Sequence, residues 1–160
     1  MATISIKRKQ QRHIAGEVSV DAVQIGLVPY YWDFIEHYVK AALEYANGEL
    51  QAEDVKQQLM AGQMRLFVVK RPYIVGAATC EVVRYSRKQA VRVVTLGGED
   101  FEAWARPLHE ALRDWARQIG AAGIEAYVRR GLVEKLEALG YSQTYVGMWY
   151  GEKLGQDSDR

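Results

Sequence analysis

The sequence has few residues of the kinds that form disulfide frameworks or metal sites. Cys80 is its only cysteine, and it has three histidines among 160 residues. A single thiol excludes an internal disulfide framework, and the strand-like run around Cys80 favours a small core residue over a catalytic thiol. His37 has no second His or Cys at ligand spacing, so a packing or surface role is favoured over metal binding. The cysteine content fits a reducing compartment.

The sequence also lacks an excess of charge of one sign and any long apolar run. Lys and Arg number 21 against 20 Asp and Glu, which gives a formal net charge of +1 and no whole-molecule field that would recruit nucleic acid. No apolar run approaches the roughly twenty residues that span a bilayer, and the N-terminus is polar where a signal peptide is apolar. We therefore expect a soluble intracellular protein without a specific nucleic-acid or membrane partner.

The composition is that of one globular domain. With 49% hydrophobic and 26% charged residues, the chain can bury a substantial core. Residues 1–16 carry Lys7, Arg8, Lys9 and Arg12 without a sustained period, and we interpret them as a basic arm that is either solvated or docked on an acidic partner. Residues 17–154 form the predicted domain, and residues 155–160 form a loose polar tail.

A strand, a glycine turn and a long amphipathic helix are predicted for residues 91–120. The β-branched run at residues 92–96 indicates a buried strand, and Gly97 and Gly98 lead from it into the helix. Apolar residues then recur three or four positions apart, so one helix face must be buried: Trp104, Leu108, Ala111, Leu112, Trp115 and Ile119. Because the first N–H groups of a helix lack internal partners, this turn could cradle an anion. Pro107 indicates that the regular helix begins near it, after a separate turn at residues 100–106.

The remaining pattern predicts elements on both sides of this stretch. Strands are expected at residues 18–28, 64–70, 74–85, 124–128 and 144–154. Helices are expected from Pro29 to the Asn47-Gly48 pair, at residues 52–61 and at residues 132–139. The three strands before the long helix form an antiparallel meander.

This element order resembles the GNAT superfamily of acyl-CoA-dependent acetyltransferases. The family's main helix and fifth strand look like ALRDWARQIGAAGIEAYV, and its final helix, turn and strand look like LEALGYSQTYVGMWYGEKL. Three further segments resemble GNAT-like proteins of bacteriophages: YYWDFIEHYVKAALEYANG, AEDVKQQLMAGQMRLFVV and TLGGEDFEAW. The resemblance implies an α/β (α+β) fold with a mixed, mostly antiparallel sheet flanked by helices, and it implies acetyl-CoA as the coenzyme.

The family's coenzyme signature is Arg or Gln, two residues, Gly, one residue, then Gly or Ala. Anchored on residues 110–112, the alignment puts Asp100 at the Arg or Gln position, with Ala103 and Ala105 in the two small-residue positions. Glu99, Asp100 and Glu102 either oppose the incoming phosphates or cap their own helix. The coenzyme-binding residues implied by the resemblance are Leu96, Gly97, Gly98, Ala103 and Ala105. Arg129 and Arg130 bind a coenzyme phosphate, anchor a protein partner or lie in solvent.

The family often carries a tyrosine as general acid towards the leaving thiolate, and Leu136 occupies that position here. Tyr141 is our candidate acid, with Tyr127 and Tyr145 as others, and the alternative role of all three is aromatic core packing. Glu81, on the strand before the central one, is our candidate base, or else a surface carboxylate.

Two functions are consistent with these residues. One is a phage-encoded N-acetyltransferase with a degenerate coenzyme loop, acting on an unknown amine in the host cytoplasm. The other is a non-catalytic GNAT-like virion, assembly or host-interaction protein, whose partner is a phage or host protein. The fold alone does not decide between them.

Overall fold

A computed structural model describes residues 17–151 of the chain. They divide into two compact units, residues 17–129 and residues 130–151, and each is described by itself. The predicted basic arm and the predicted tail lie outside the described residues, so both remain predictions. The first unit contains β1 (Ser19–Ala22), a 3-10 turn (Ile25–Leu27), α1 (Val28–Leu43), α2 (Ala52–Met60), β2 (Arg65–Lys70), β3 (Ile74–Arg84), β4 (Gln89–Gly98), α3 (Phe101–Gln118) and β5 (Gly123–Ala126). The second contains a 3-10 turn (Arg130–Leu132) and α4 (Val133–Glu137).

The five strands form one sheet in the order in which they occur in the chain. β1 to β4 pair antiparallel, and β5 pairs parallel to β4. The parallel pair needs a long crossover, which α3 supplies, whereas the antiparallel neighbours β2, β3 and β4 need only short turns. The predicted mixed, mostly antiparallel sheet flanked by helices is confirmed.

Two hydrophobic cores lie on opposite faces of the sheet. Alternate residues of a strand point to opposite faces, so β2, β3 and β4 each contribute to both cores. α1 and α2 cover the first core, whose buried members are Val23, Val28, Trp32, Ile35, Tyr38, Val39, Val55, Leu59, Met64, Leu66, Val68 and Ala77. α3 covers the second, whose buried members are Phe67, Val69, Ala78, Cys80, Val91, Trp104, Leu108, Leu112 and Ala116. The predicted burial of Cys80 and of one α3 face is confirmed.

The helix α3 runs through Pro107 without a break, so the predicted separate turn at residues 100–106 is wrong. Proline removes one helical hydrogen bond and crowds the preceding turn, a cost of about 3 kcal/mol or more. Trp104 and Leu108, which flank Pro107, are both buried in the second core. Tertiary packing on both sides of the proline therefore outweighs its local preference.

Two predicted strands differ in the structure. β1 ends at Ala22, and the chain passes through a 3-10 turn before α1, so the strand predicted over residues 18–28 is shorter. Residues 144–151 form no strand, and the rest of that predicted strand lies outside the described residues. The side chains of Tyr145 and Met148 are 87% and 90% exposed. Strand preference alone does not form a strand, because a ladder also needs a pairing partner.

The structure identifies Trp104 as the tryptophan most deeply buried on α3. Trp104 is fully buried, and its ring meets Phe101 edge-on with 5.0 Å between ring centroids. Trp115, which the helical pattern also places on the buried face, is half-buried between Phe67 and the guanidinium of Arg65.

We predict that Trp104→Ala lowers the free energy of unfolding by about 3–5 kcal/mol, because it deletes a large side chain from a closed core. Trp115→Ala should cost less, since solvent already reaches that ring. Chemical denaturation of both variants measures the difference. Equal losses, or a larger loss at Trp115, would show that the described packing of α3 is wrong.

Candidate active site

An irregularity in the β3–β4 pairing lies at the centre of the candidate site. Thr79 pairs with Thr95, but the next residue, Cys80, pairs with Val93, so Val94 is an extra residue on β4. The side-chain oxygens of Thr79 and Thr95 are 2.6 Å apart in a buried hydrogen bond. A β-bulge bends its strand and increases the local twist. The threonine pair therefore fixes the point at which β4 changes direction.

β4 and β5 separate at this same point. Their parallel pairs run from Ala90 with Gly123 to Val93 with Ala126, and they stop there. β4 nevertheless continues for five more residues, from Val94 to Gly98. On the side where β5 would continue, this edge has no strand partner among residues 17–151. Its N–H and C=O groups can therefore pair with an extended ligand that carries amide groups.

Gly97 and Gly98 allow close packing at the end of this edge. A Cβ atom at Gly97 would lie 2.6 Å from the carbonyl oxygen of Tyr38 on α1. One at Gly98 would lie 2.5 Å from the carbonyl oxygen of Val75 on β3. Gly97 and Gly98 are the last two residues of β4, paired with Ala77 and Gly76, so the turn predicted at these glycines begins one residue later, at Glu99. Both glycines are required because neighbouring backbone occupies the space of a side chain.

An ion pair fixes the start of α3. Asp100 precedes the helix in a left-handed conformation with φ of 57°, and its side chain makes no capping hydrogen bond. The Asp100 carboxylate instead accepts a 2.7 Å hydrogen bond from the guanidinium of Arg71. The predicted capping by Asp100 is therefore wrong, because Arg71 offers a charged partner. Arg71 is only 12% exposed, so this cation belongs to the packed structure of the turn.

Backbone groups of the turn also bond within the protein. The Glu99 N–H donates to the Val75 carbonyl at 2.8 Å, and the Trp104 indole N–H donates to the Glu99 carbonyl at 2.6 Å. The Ala103 N–H donates to the Asp100 carbonyl at 3.0 Å. Ala103 is exposed in the first helical turn, whereas Ala105 is buried. Of the two small residues that we assigned to the coenzyme, only Ala103 lies at the surface.

A polar network crosses β3, β4 and β5 beside the bulge. The Arg92 guanidinium donates to Glu125 at 2.8 Å, and its contact with Glu81 is longer, at 3.5 Å. The Tyr85 hydroxyl donates to both oxygens of Glu125, at 2.8 and 2.9 Å. Arg92 lies over the ring of Tyr127, 5.1 Å from its centroid. The network places the carboxylates of Glu81 and Glu125 and the guanidinium of Arg92 next to the point where β4 and β5 separate.

Two groups of this network have shifted pKa values. The hydrogen bond to Glu125 is the main cause that raises the pKa of Tyr85. Burial lowers the pKa of Arg92, but its hydrogen bonds to Glu125 and Tyr85 raise it by more, so the net change is upward. Both residues therefore keep their protons at neutral pH, and Glu81 and Glu125 are the network's candidate proton acceptors.

The other predicted site residues lie at different places. Arg129 is exposed and stacks on Tyr45, with 4.8 Å from the guanidinium carbon to the ring centroid. Arg130 and Tyr141 belong to the second unit, where the Tyr141 N–H donates to the Leu136 carbonyl at 3.1 Å. Tyr127 is 72% exposed and Tyr145 is 87% exposed, so the alternative of core packing is wrong for both.

Sequence reasoning missed Arg71 and Tyr38. The partner of the Arg71 guanidinium, Asp100, lies 29 positions away in the chain, so no local pattern connects the two residues. Tyr38 is buried on α1, and burial and the negative charge of Glu99 raise the pKa of its hydroxyl. No local signal in the sequence connects Tyr38 to Glu99.

Solved acetyltransferase structures share this fold. An aminoglycoside acetyltransferase from an uncultured soil metagenomic sample, in complex with sisomicin, is 17% identical, with 87% of this chain and 99% of that chain covered and a TM-score of 0.62. Glucosamine-6-phosphate N-acetyltransferase from Arabidopsis thaliana is 11% identical, with 84% and 97% covered and a TM-score of 0.58. AAC(6')-Iy, in complex with a bisubstrate analogue of CoA and acetylneamine, is 14% identical, with 85% and 98% covered and a TM-score of 0.61. The chain therefore has the fold of GNAT-type N-acetyltransferases.

No protein-family model matches the sequence, and no curated protein matches it. Within residues 17–151, no group of three or more His, Cys, Asp and Glu side chains could hold a metal ion. In the same part of the chain, no helix has the length and apolar character needed to cross a membrane.

We predict that Gly97→Ala and Gly98→Ala each lower the free energy of unfolding by about 1–3 kcal/mol, because the added methyl group meets fixed backbone. Gly123→Ala is the matched control. A Cβ atom there meets nothing within 4 Å, and the change should stay within about 0.5 kcal/mol. Thermal denaturation compares the three. If Gly97→Ala and Gly98→Ala leave the stability unchanged, the described packing around these glycines is wrong.

Proposed function

We propose that this protein is an acyl-CoA-dependent N-acetyltransferase that acts on a small amine. The observation that carries the proposal is the free edge of β4 at residues 94–98, which leads directly to the start of a long helix. Such an edge can bond the amide groups of an extended coenzyme arm, and the helix start favours an anion at its end. The fold that the chain shares with known acetyltransferases supports the same function.

The acidic side chains of the turn disfavour the phosphates of the coenzyme, whereas they do not oppose its uncharged amide-containing arm. Two unit charges of the same sign about 4 Å apart cost roughly 4 kcal/mol at an effective dielectric of 20, whereas a helix start offers an anion about 0.3–2 kcal/mol. Arg71 offsets the charge of Asp100, whereas Glu99 still adds a negative charge to the turn. We therefore propose a degenerate coenzyme loop with a weakened phosphate site. Bound there, acetyl-CoA would supply the activated acetyl group.

Glu81 is the proposed base. Its carboxylate is half-buried on β3, and its register partner Arg92 lies two positions before the bulge residue Val94. Arg92 bonds Glu125 at 2.8 Å but Glu81 only at 3.5 Å, so Glu81 is the less engaged of the two carboxylates. It can accept the proton that an ammonium group must lose before its nitrogen attacks a carbonyl. Tyr141 remains the proposed acid for the leaving thiolate.

The second candidate is a non-catalytic phage virion, assembly or host-interaction protein. The acidic turn and Leu136 at the general-acid position favour it, as do the exposed apolar side chains of Tyr145, Met148 and Trp149. Contiguous exposed apolar side chains often mark interaction surfaces. The phage origin itself is proposed from the sequence resemblance.

Binding of acetyl-CoA tests the first proposal without knowledge of the amine. We predict that acetyl-CoA raises the midpoint of thermal unfolding, with a stabilisation of about 2.7 kcal/mol at a hundredfold excess over the dissociation constant. Asp100→Asn should tighten binding by about tenfold, because it keeps a residue that tolerates the left-handed conformation and releases Arg71 towards the phosphates. Calorimetry measures the dissociation constants.

Asp114→Asn is the matched control, since Asp114 is exposed on α3 and the charge change is the same. Binding to this variant should equal that of the parent protein. If the parent and Asp100→Asn both fail to bind acetyl-CoA at millimolar concentration while remaining folded, the enzymatic proposal is wrong.

A further inference from the structure

A second free strand edge lies at the opposite end of the sheet from the β4–α3 turn. The pairing of β2 with β3 ends where Arg65 meets Cys80, but β3 continues to Arg84 and stays paired with β4 up to Gln89. Residues 81–84 therefore have a strand on one side only among residues 17–151. Two strands of the sheet separate this edge from the gap between β4 and β5.

The chain before β2 turns away from this edge. The N–H groups of Gln63 and Met64 both donate to the carbonyl of Gln58 on α2, at 2.9 and 3.2 Å. Gly62 makes the turn with φ of 75°. These bonds hold residues 62–64 against α2, so they do not extend β2 along β3.

The outward backbone groups of the edge can be identified from the hairpin. The Tyr85 N–H donates to the Lys88 carbonyl at 2.8 Å, so the Tyr85 backbone faces β4. Backbone direction alternates along an antiparallel strand. The N–H and C=O groups of Val82 and Arg84 therefore face away from β4, into the space that a further strand would occupy.

A groove of about 600 Å³ follows this edge. Ile25 and Val82 contribute apolar walls, and Trp115 lies at its side. Arg65 and Arg84 line it too, and both are exposed. Arg65 lies over the rings of Phe67 and Trp115, and neither arginine forms an ion pair with a residue of the described chain.

The groove's charge favours an acidic occupant. Arg65 and Arg84 outnumber Glu81, the one carboxylate among the described residues that lines the groove, so the lining carries a net positive charge. Arg65 and Arg84 lie on the same face of the sheet, because Arg65 pairs with Cys80 and every second residue of β3 shares the face of Cys80. An added strand with acidic side chains on that face would pair its backbone with β3 and its carboxylates with both guanidinium groups.

We propose that the edge of β3 at residues 81–84 binds an extended acidic peptide segment of a partner protein by strand addition. Val82 and Arg84 provide the backbone hydrogen bonds, and Arg65 and Arg84 select acidic side chains. The backbone edge is separate from the proposed coenzyme edge, although Glu81, the proposed base, also lines this groove.

Synthetic peptides test the proposal. The probe is a fluorescein-labelled hexapeptide of alternating Val and Glu, and its counterpart replaces every Glu by Lys. Fluorescence anisotropy should show that the acidic peptide binds at least about tenfold more tightly than the basic one, with affinity falling as salt rises. Amide resonances of Val82 and Arg84 should shift on binding.

Variants separate the contributions of charge and backbone. Arg84→Glu should lower the affinity for the acidic peptide by about tenfold or more. Arg84→Pro should lower this affinity as well, because proline lacks the N–H group that faces away from β4, and the hydrogen bonds between β3 and β4 are kept. Arg87→Glu is the control: it makes the same charge change in the exposed β3–β4 turn, outside the groove, and should change affinity less than about twofold.

Three results would overturn the proposal: no binding of the acidic peptide at millimolar concentration, equal binding of the basic peptide, or full binding to Arg84→Glu. A concentration-dependent dimer that Arg84→Pro abolishes would assign the edge to a second copy of this chain instead. Sedimentation measures that outcome.

Discussion

The extra residue at Val94 is the local constraint on which the candidate site depends. The hydrogen bond between Thr79 and Thr95 fixes β4 beyond the bulge, and the pairing with β5 ends just before it. Without the bulge, β4 would continue beside β5, and the backbone N–H and C=O groups of its edge would pair with that strand. The bulge instead leaves a free length of backbone next to the polar network around Arg92, so one irregularity places an unpaired strand edge beside two carboxylates.

The packing at the end of that edge joins three elements. Gly97 lets α1 approach β4, Gly98 lets β3 approach the same turn, and the Trp104 indole ties α3 to Glu99. Arg71 then holds Asp100 at the helix start. The turn is therefore rigid as well as acidic. Rigidity favours a preformed ligand site. The carboxylates of the turn repel a phosphate, and the ion pair between Arg71 and Asp100 reduces that repulsion.

The sequence predicted most of the fold, because its signals are periodic. The apolar stripes of α1 and α3, the turn glycines and the three-strand meander are all local patterns. Pro107 misled the prediction, because the burial of Trp104 and Leu108 outweighs its local cost. The strand over residues 144–154 was predicted with support from the resemblance to the last GNAT strand, but its described part, residues 144–151, has no partner for a ladder. In the candidate site, Glu81 and the glycines remain predictions from the sequence, whereas the bulge and the Arg71–Asp100 pair were not predicted. Both features depend on contacts between residues that are distant in the sequence, so no local sequence pattern predicts them.

Amide-resolved hydrogen exchange tests most directly whether the free edge of β4 binds the coenzyme arm, as we propose. On addition of acetyl-CoA, we expect slower exchange at outward-facing N–H groups of residues 94–98, with little change at residues 81–84 on the distant edge of β3. Protection confined to other elements, or none along β4 at a concentration that saturates binding, would show that the coenzyme arm does not bind this edge.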